Sequence, residues 1–290
     1  MTARDLIALL PGPPPAQLPS GLRAAHADGV TAILGAPKLA GFAASRKKAL
    51  KGAVLRQQRL EMLMTHATVL PVIPGTYLSA ANVPTLVACN HDLLKRQFDA
   101  LAGRVQYQLE VTWDLSAAPH RFGAEEDALA PVAAQLRAEM MGQLVADDVQ
   151  ELPRSEDAVL NAVLLVQEDA DLDPALAAID AIWTEGLRLR LIGPSPAVSF
   201  ASLHLRHASV AEVAAARATL GLRTLPDDQQ ALAAHRRSAV MAAPAEVLAS
   251  LREAADLLSA AIRAGGRPPI LADIWREGRA TPGLAEKDAA

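Results

Sequence analysis

Ala67-Thr-Val-Leu-Pro-Val-Ile-Pro-Gly-Thr-Tyr-Leu78 and Gly103-Arg-Val-Gln-Tyr-Gln-Leu-Glu-Val-Thr-Trp-Asp114 decide how this chain folds, together with the amphipathic segment Val83 to Ala102 between them. The second stretch alternates. Val105, Tyr107, Leu109, Val111 and Trp113 fall on one face, and Arg104, Gln106, Gln108, Glu110 and Thr112 on the other. A period of two marks a strand with one face on a core and one on water. The first stretch is an apolar run broken by Pro71, Pro74 and Gly75, so the local plan is strand, helix, strand.

Upstream, Arg4 to Leu10 and Gly29 to Leu34 are short apolar runs parted by the Pro/Gly-rich connection Pro11 to Gly21, and they read as two strands. From Ser45 the spacing becomes helical, with Leu50, Val54, Leu60, Leu63 and Met64 in one stripe that runs as far as His66. Strand, strand, helix, strand, helix, strand is a variant of the split βαβ plan, with helices over one face of a mainly antiparallel sheet. The expected fold class is therefore α+β, with a ferredoxin-like domain over residues 1–118.

Pro119 to Asp127 is a turn-rich boundary, and Leu129 to Val149 carries Leu136, Met140 and Leu144 at a spacing of four, giving a helical linker over 119–157. A second, smaller α+β domain is expected over 158–208. It starts with the strand Ala158 to Val166 and continues with a helix capped by Asp173 before Pro174 and ending near Gly186. Residues 209–290 read as a helical C-terminal region, in which Val210 to Leu222, Pro226 to Met241 and Pro244 to Ala264 precede Gly265-Gly266.

At 290 residues the chain is long enough for two domains with their own cores. Of the composition 51% is hydrophobic but only 3% aromatic, so the apolar weight sits in small residues that favour close helix contacts. A net charge of -4 with interspersed signs argues against nucleic acid as a partner. The long uncharged stretch Ala67 to Asn90 is cut by Pro71, Pro74 and Pro84, so no membrane partner is implied. No signal peptide is legible near Arg4 and Asp5, and the single cysteine, Cys89, fits a reducing cytoplasm.

Val69-Leu-Pro71, Gly75-Thr76, Gly103-Arg104 and Val111-Thr-Trp-Asp114 stand in an order that resembles the gas vesicle proteins of the GvpL/GvpF family. Ile73-Pro74 occupies the place where that family usually shows Arg-Phe, so no role of that arginine carries over. A second segment, with Gly193-Pro194, Pro196 and Ser199-Phe200, is similar to the same family, although Ser195 and Ala197-Val198 replace its aromatic-proline pair. Leu220-Gly-Leu222, His235 to Ala239 and Arg252 to Ser259 resemble the helical hairpin of a J-domain co-chaperone. Ala243-Pro244-Ala245 stands where a J-domain has His-Pro-Asp, which implies a helical adaptor without co-chaperone activity.

Candidate sites are sparse. His26, His66, His91, His120, His204, His207 and His235 are scattered, and His204 and His207 on a strand would face opposite ways, which suits no shared metal. Asp147-Asp148 and Asp169 to Asp173 lack the glycine and terminal glutamate of a calcium loop and read as turns and a cap. Ser195 is flanked by prolines, so it is no nucleophile elbow, and Gly-Pro-Ser-Pro reads as a tight turn. Gly12, Gly21, Gly35 and Gly41 form no phosphate loop, and Arg46-Lys47-Lys48 with Lys51 reads as a solvated helix face. The expectation is no catalytic, cofactor-binding or metal residue, no cofactor and no enzyme activity.

The family resemblance implies an accessory or minor structural protein for gas vesicle assembly. Such a protein would be placed in the cytoplasm and at the vesicle, binding the hydrophobic shell protein and other accessory proteins. Free sheet edges and small-residue helices suit an aggregation-prone client. The alternative is a small-molecule-binding protein or enzyme on a ferredoxin-like scaffold. Polar substitution at Val111 or Trp113 is expected to lower solubility and partner binding together.

Overall fold

The computed structural model describes residues 2–37, 46–123 and 129–277, and the side chains of all of these except 46–48. The first half runs β1 (Arg4–Pro11), β2 (Arg23–Ala27), β3 (Val30–Pro37), α1 (Arg46–Met64), β4 (Leu70–Pro71), β5 (Tyr77–Leu78), α2 (Val83–Leu101) and β6 (Arg104–Trp113). Then follow α3 (Ala118–Phe122), α4 (Leu129–Gln143), β7 (Asp148–Glu151), β8 (Ala158–Gln167), α5 (Asp173–Asp180), β9 (Leu187–Ser195) and β10 (Ser202–His207). The chain closes with α6 (Val210–Thr219), α7 (Gln229–Ala242), α8 (Leu248–Arg263) and β11 (Ile270–Trp275). Two compact units result, one from Met1–Ala100 and Ser202–Ile274, the other from Leu101–Ala201 and Trp275–Ala290.

In the first unit β1 is the central strand, because Leu6 to Leu10 is apolar throughout and must be covered on both faces. It pairs antiparallel with β3 on one side and with β4 and β5 on the other, and β2 extends the sheet beyond β3. Asp28 (φ 44°) and Gly29 (φ 75°) turn β2 into β3, the two positive angles that a two-residue hairpin requires. The bulge between β4 and β5 is a turn over Ile73-Pro74-Gly75-Thr76, with Gly75 at φ 85°. The Thr76 hydroxyl donates to Ile73 O at 2.8 Å, and Thr76 O accepts from Leu6 N at 2.8 Å.

Arg56 of α1 fastens this arrangement. Its guanidinium donates to both Asp5 oxygens at 3.1 and 2.9 Å, and to Leu6 O, Ile7 O and Val72 O at 2.9, 3.2 and 2.6 Å. One partly buried fork thus joins α1, β1 and the residue after β4. Val72 also forms a parallel bridge to Leu203, which links the sheet to the β10–β11 pair. The helices α6, α7 and α8 bury Ala216, Leu220, Leu232, Leu251, Ala254, Ala255 and Leu258 in a core of leucines and alanines.

The second unit is an antiparallel sheet in the order β7-β8-β6-β9. β6 is flanked on both edges, and Val105, Leu109, Val111 and Trp113 are buried as the alternation predicts. Tyr107 is only half-buried. Gln106, from the polar face, is buried because its Oε1 accepts from Ser199 N at 3.0 Å. α4 packs on β8 and α5 on β9. Trp113, Phe122 and Trp183 form a row of rings with centroids 6.2 and 5.2 Å apart.

Several expectations need correction. The α+β class stands, but the ferredoxin-like arrangement over 1–118 is not what forms: β6 leaves the β1 sheet, because its two edges are taken by β8 and β9. The helices α6 to α8 and β11 as far as Ile274 fall in the same compact unit as the N-terminal sheet. Residues 119–201 fall in one compact unit and 202–208 in the other. The helix expected from Leu129 to Val149 stops at Gln143, and Asp148–Glu151 form β7 against β8. Asp173 is the first helical residue and not the cap; Asp171 Oδ1 accepts from Asp173 N at 3.0 Å, and α5 ends at Asp180. Gly193-Pro194-Ser195 closes β9 instead of making a tight turn. A Cβ on Gly193 (φ 143°) would stand 2.8 Å from Gln106 O and 2.7 Å from the Tyr107 ring, so glycine alone fits that close approach.

Candidate functional site

Asn90 is the polar centre of the first unit. Its backbone (φ -121°, ψ 16°) interrupts the regular turn of α2, and its buried side chain reaches β11. Nδ2 donates to Leu86 O and Ile270 O, both at 2.7 Å, while Oδ1 accepts from Ala272 N at 2.9 Å. The amide therefore pairs with β11 as the peptide of a neighbouring strand would. Asn90→Ala leaves a buried carbonyl and an amide of β11 without partners, and is expected to lower the unfolding free energy by about 2–3 kcal/mol in urea titrations.

Beside Asn90, α2, α8, β10 and β11 enclose an open cleft of about 500 Å³, lined by Cys89, Asp92, Arg96, Arg206, Asp256 and Arg263 among others. The chemistry there is quiet. The Cys89 thiol is buried and donates to Ala260 O at 3.3 Å, and burial pushes its pKa up, so it stays protonated and is a poor nucleophile. Arg263 pairs with Asp92 at 3.1 Å, and Arg206 with Glu212 at 2.6 Å.

The exposed carboxylates at this end are held below their usual range. Asp92 is lowered by hydrogen bonds from His91 and then Arg263, and Glu212 by the Ser209 backbone N–H, the Ser209 side chain and Arg206. Ser209 and Glu212 form a reciprocal capping box at the start of α6. A depressed carboxylate contributes stability above its unfolded pKa and loses it as pH falls through the folded one. Acidification is therefore expected to speed amide exchange in the first turn of α6, after correction for intrinsic rates, before it affects β1.

The residues singled out from sequence do not converge. His26, His66, His91, His120, His207 and His235 are exposed and His204 half-buried. Among the described residues no group of three or more His, Cys, Asp or Glu is arranged to hold a metal ion. Asp147 accepts from Arg104 at 2.6 Å and Gln167 at 2.9 Å; Asp148 pairs with Arg276. Ser195 Oγ donates to Gln106 O at 3.3 Å. Gly12 N, just after β1, donates to Gly29 O of the β2–β3 turn at 2.7 Å, while Gly41 and the side chains of Arg46, Lys47 and Lys48 lie outside the described residues. Lys51 is exposed.

Sequence reasoning missed Arg56 and Asn90. Arg56 had a visible signal, a cation four and seven residues before Leu60 and Leu63 on one face of α1. The same helix leaves Leu50, Val54, Leu55 and Met62 exposed, so only the C-terminal half of the expected stripe meets the core.

Residues 10–143 match the family described as gas vesicle synthesis protein GvpL/GvpF. Among solved structures, the gas vesicle protein GvpF from Anabaena sp. PCC7120 is similar at 21% identity and a TM-score of 0.53, over 68% of this chain and 94% of that one. GvpF from Microcystis aeruginosa is similar at 20% identity and a TM-score of 0.54, over 68% of this chain and 98% of that one. No curated protein sequence matches. The structural likeness at these identities concerns the fold, while the family match covers both α1 and the whole of β6.

Proposed function

We propose, for a chain whose residues 10–143 match the gas vesicle synthesis protein GvpL/GvpF family, a role as an accessory or minor structural protein of gas vesicle assembly. It binds the hydrophobic shell protein and other accessory proteins in the cytoplasm and at the vesicle, and it does so by contact surfaces without covalent chemistry. The observation that carries the reading is the family match over residues 10–143, reinforced by the shared fold with two GvpF structures. The paired arginines and protonated thiol of the cleft give the small-molecule alternative no support.

The helices α6 to α8, with Ala243-Pro244-Ala245 between α7 and α8, act in this reading as an adaptor without co-chaperone activity. The decisive experiment is a pull-down of each co-expressed vesicle protein on the tagged full chain. Retention of the shell protein or an accessory protein is the expected result. Recovery of none of them, with the chain folded by circular dichroism, overturns the assignment.

A further inference from the structure

We propose that the outer edge of β9 is a strand-addition site for an extended segment of another protein that alternates apolar and acidic side chains. The two edges of the second unit's sheet are treated differently. At one edge β7 has four residues, and the chain after β11 lies along it: Arg276 pairs with Asp148 and donates to Phe200 O, and Glu277 N donates to Ser199 O at 2.8 Å. At the other edge β9 has nine residues, and among the described residues no strand pairs with its outer side. A long edge of this kind presents a row of backbone donors and acceptors ready for another chain.

The side chains of β9 say what that chain carries. Leu187, Leu189 and Leu191 lie across from Trp113, Val111 and Leu109, on the apolar face of the sheet; Arg188 and Arg190 lie across from Thr112 and Glu110 on the opposite face. Leu191 remains 36% exposed at the end of the apolar row, while Ile192, 43% exposed, lies across from Gln108 on the arginine face. Arg190, with its side chain 71% exposed, meets Glu110 only at 3.9 Å. An antiparallel β9 from a second copy would set arginine against arginine, which disfavours self-pairing. A strand with carboxylates on one face and apolar side chains on the other satisfies both rows. Pro194 and the register shift near Gln106 bound the usable edge to Leu187–Ile192. The inference goes beyond the assembly role and stands on β9 alone.

The test uses the full chain and capped synthetic peptides: one alternating valine and glutamate, its valine–lysine counterpart, and the glutamate peptide N-methylated on every second residue in each of the two phases. Fluorescence anisotropy is expected to show the glutamate peptide binding about tenfold more tightly than the lysine peptide, as two favourable cross-strand charge pairs imply. One methylated phase is expected to lose binding, and bound peptide to protect the amides of Leu187–Ile192 from exchange. The double variant Arg188→Glu/Arg190→Glu, which leaves the strand backbone intact, is expected to invert the preference. No binding of the glutamate peptide, equal affinity for both peptides, binding that survives both methylation phases, or a dimer abolished by the double variant would each overturn the proposal.

Discussion

Arg56→Met is expected to lower the unfolding free energy by about 3–5 kcal/mol, the cost of breaking a buried ion pair by removing one partner. Methionine fills much of the space but has no donors. The substitution strands the Asp5 carboxylate and takes a donor from Leu6 O, Ile7 O and Val72 O at once. The Arg56 side chain is 11% exposed, so little water is available to replace those bonds. Urea titration at neutral pH measures the loss. Asp5→Asn is expected to cost less, because an amide oxygen still accepts from the guanidinium. Burial, moreover, pushes the Asp5 carboxyl above its ordinary range more strongly than Arg56 pulls it down.

The sign of the pH dependence follows. Folded Asp5 holds its proton to a higher pH than the unfolded chain does, so its contribution is full below the unfolded carboxylate pKa and falls as pH rises through the folded value. Acid spares this contact while it loosens the Glu212 cap, whose carboxylate is shifted the other way.

What the sequence revealed and what it hid divide along physical lines. β6 was legible from its alternation and β8 from its unbroken apolar run, and their observed spans agree with the runs read as Gly103 to Asp114 and Ala158 to Val166. The family resemblance was legible in short motifs, of which Gly-Thr is held by backbone geometry: Gly75 takes a positive φ, and the Thr76 hydroxyl closes the turn.

Partnership was not legible. Nothing in the alternation of β6 says that its edges go to β8 and β9 and not to β1, since a half-buried strand carries the same pattern in either sheet. β2 was missed although Asp28-Gly29 is a strong hairpin signal, because Arg-Ala-Ala-His-Ala has no apolar run to mark it. β11 was hidden for another reason: Ile270 to Trp275 is held in place by the Asn90 side chain, a contact 180 residues away in sequence for Ile270.

Trp113→Ser is the second substitution with a large expected effect, about 3–5 kcal/mol, the range for emptying an aromatic site. Trp113 is 7% exposed, its ring meets Phe122, and Phe122 in turn meets Trp183 edge-on at 85°. Serine removes the first ring of that row and leaves a hydroxyl in an apolar space, so soluble yield falls. The structure changes what the accompanying loss of partner binding means. A buried ring on β6 cannot itself touch a client, so the pulled-down fraction is expected to fall only as far as the folded fraction does. Near-ultraviolet circular dichroism gives the folded fraction, and quantitative pull-down of the shell protein gives the bound one. Binding that drops further than folding would place Trp113 in a surface that opens on contact with the partner, and the burial argument would then be wrong.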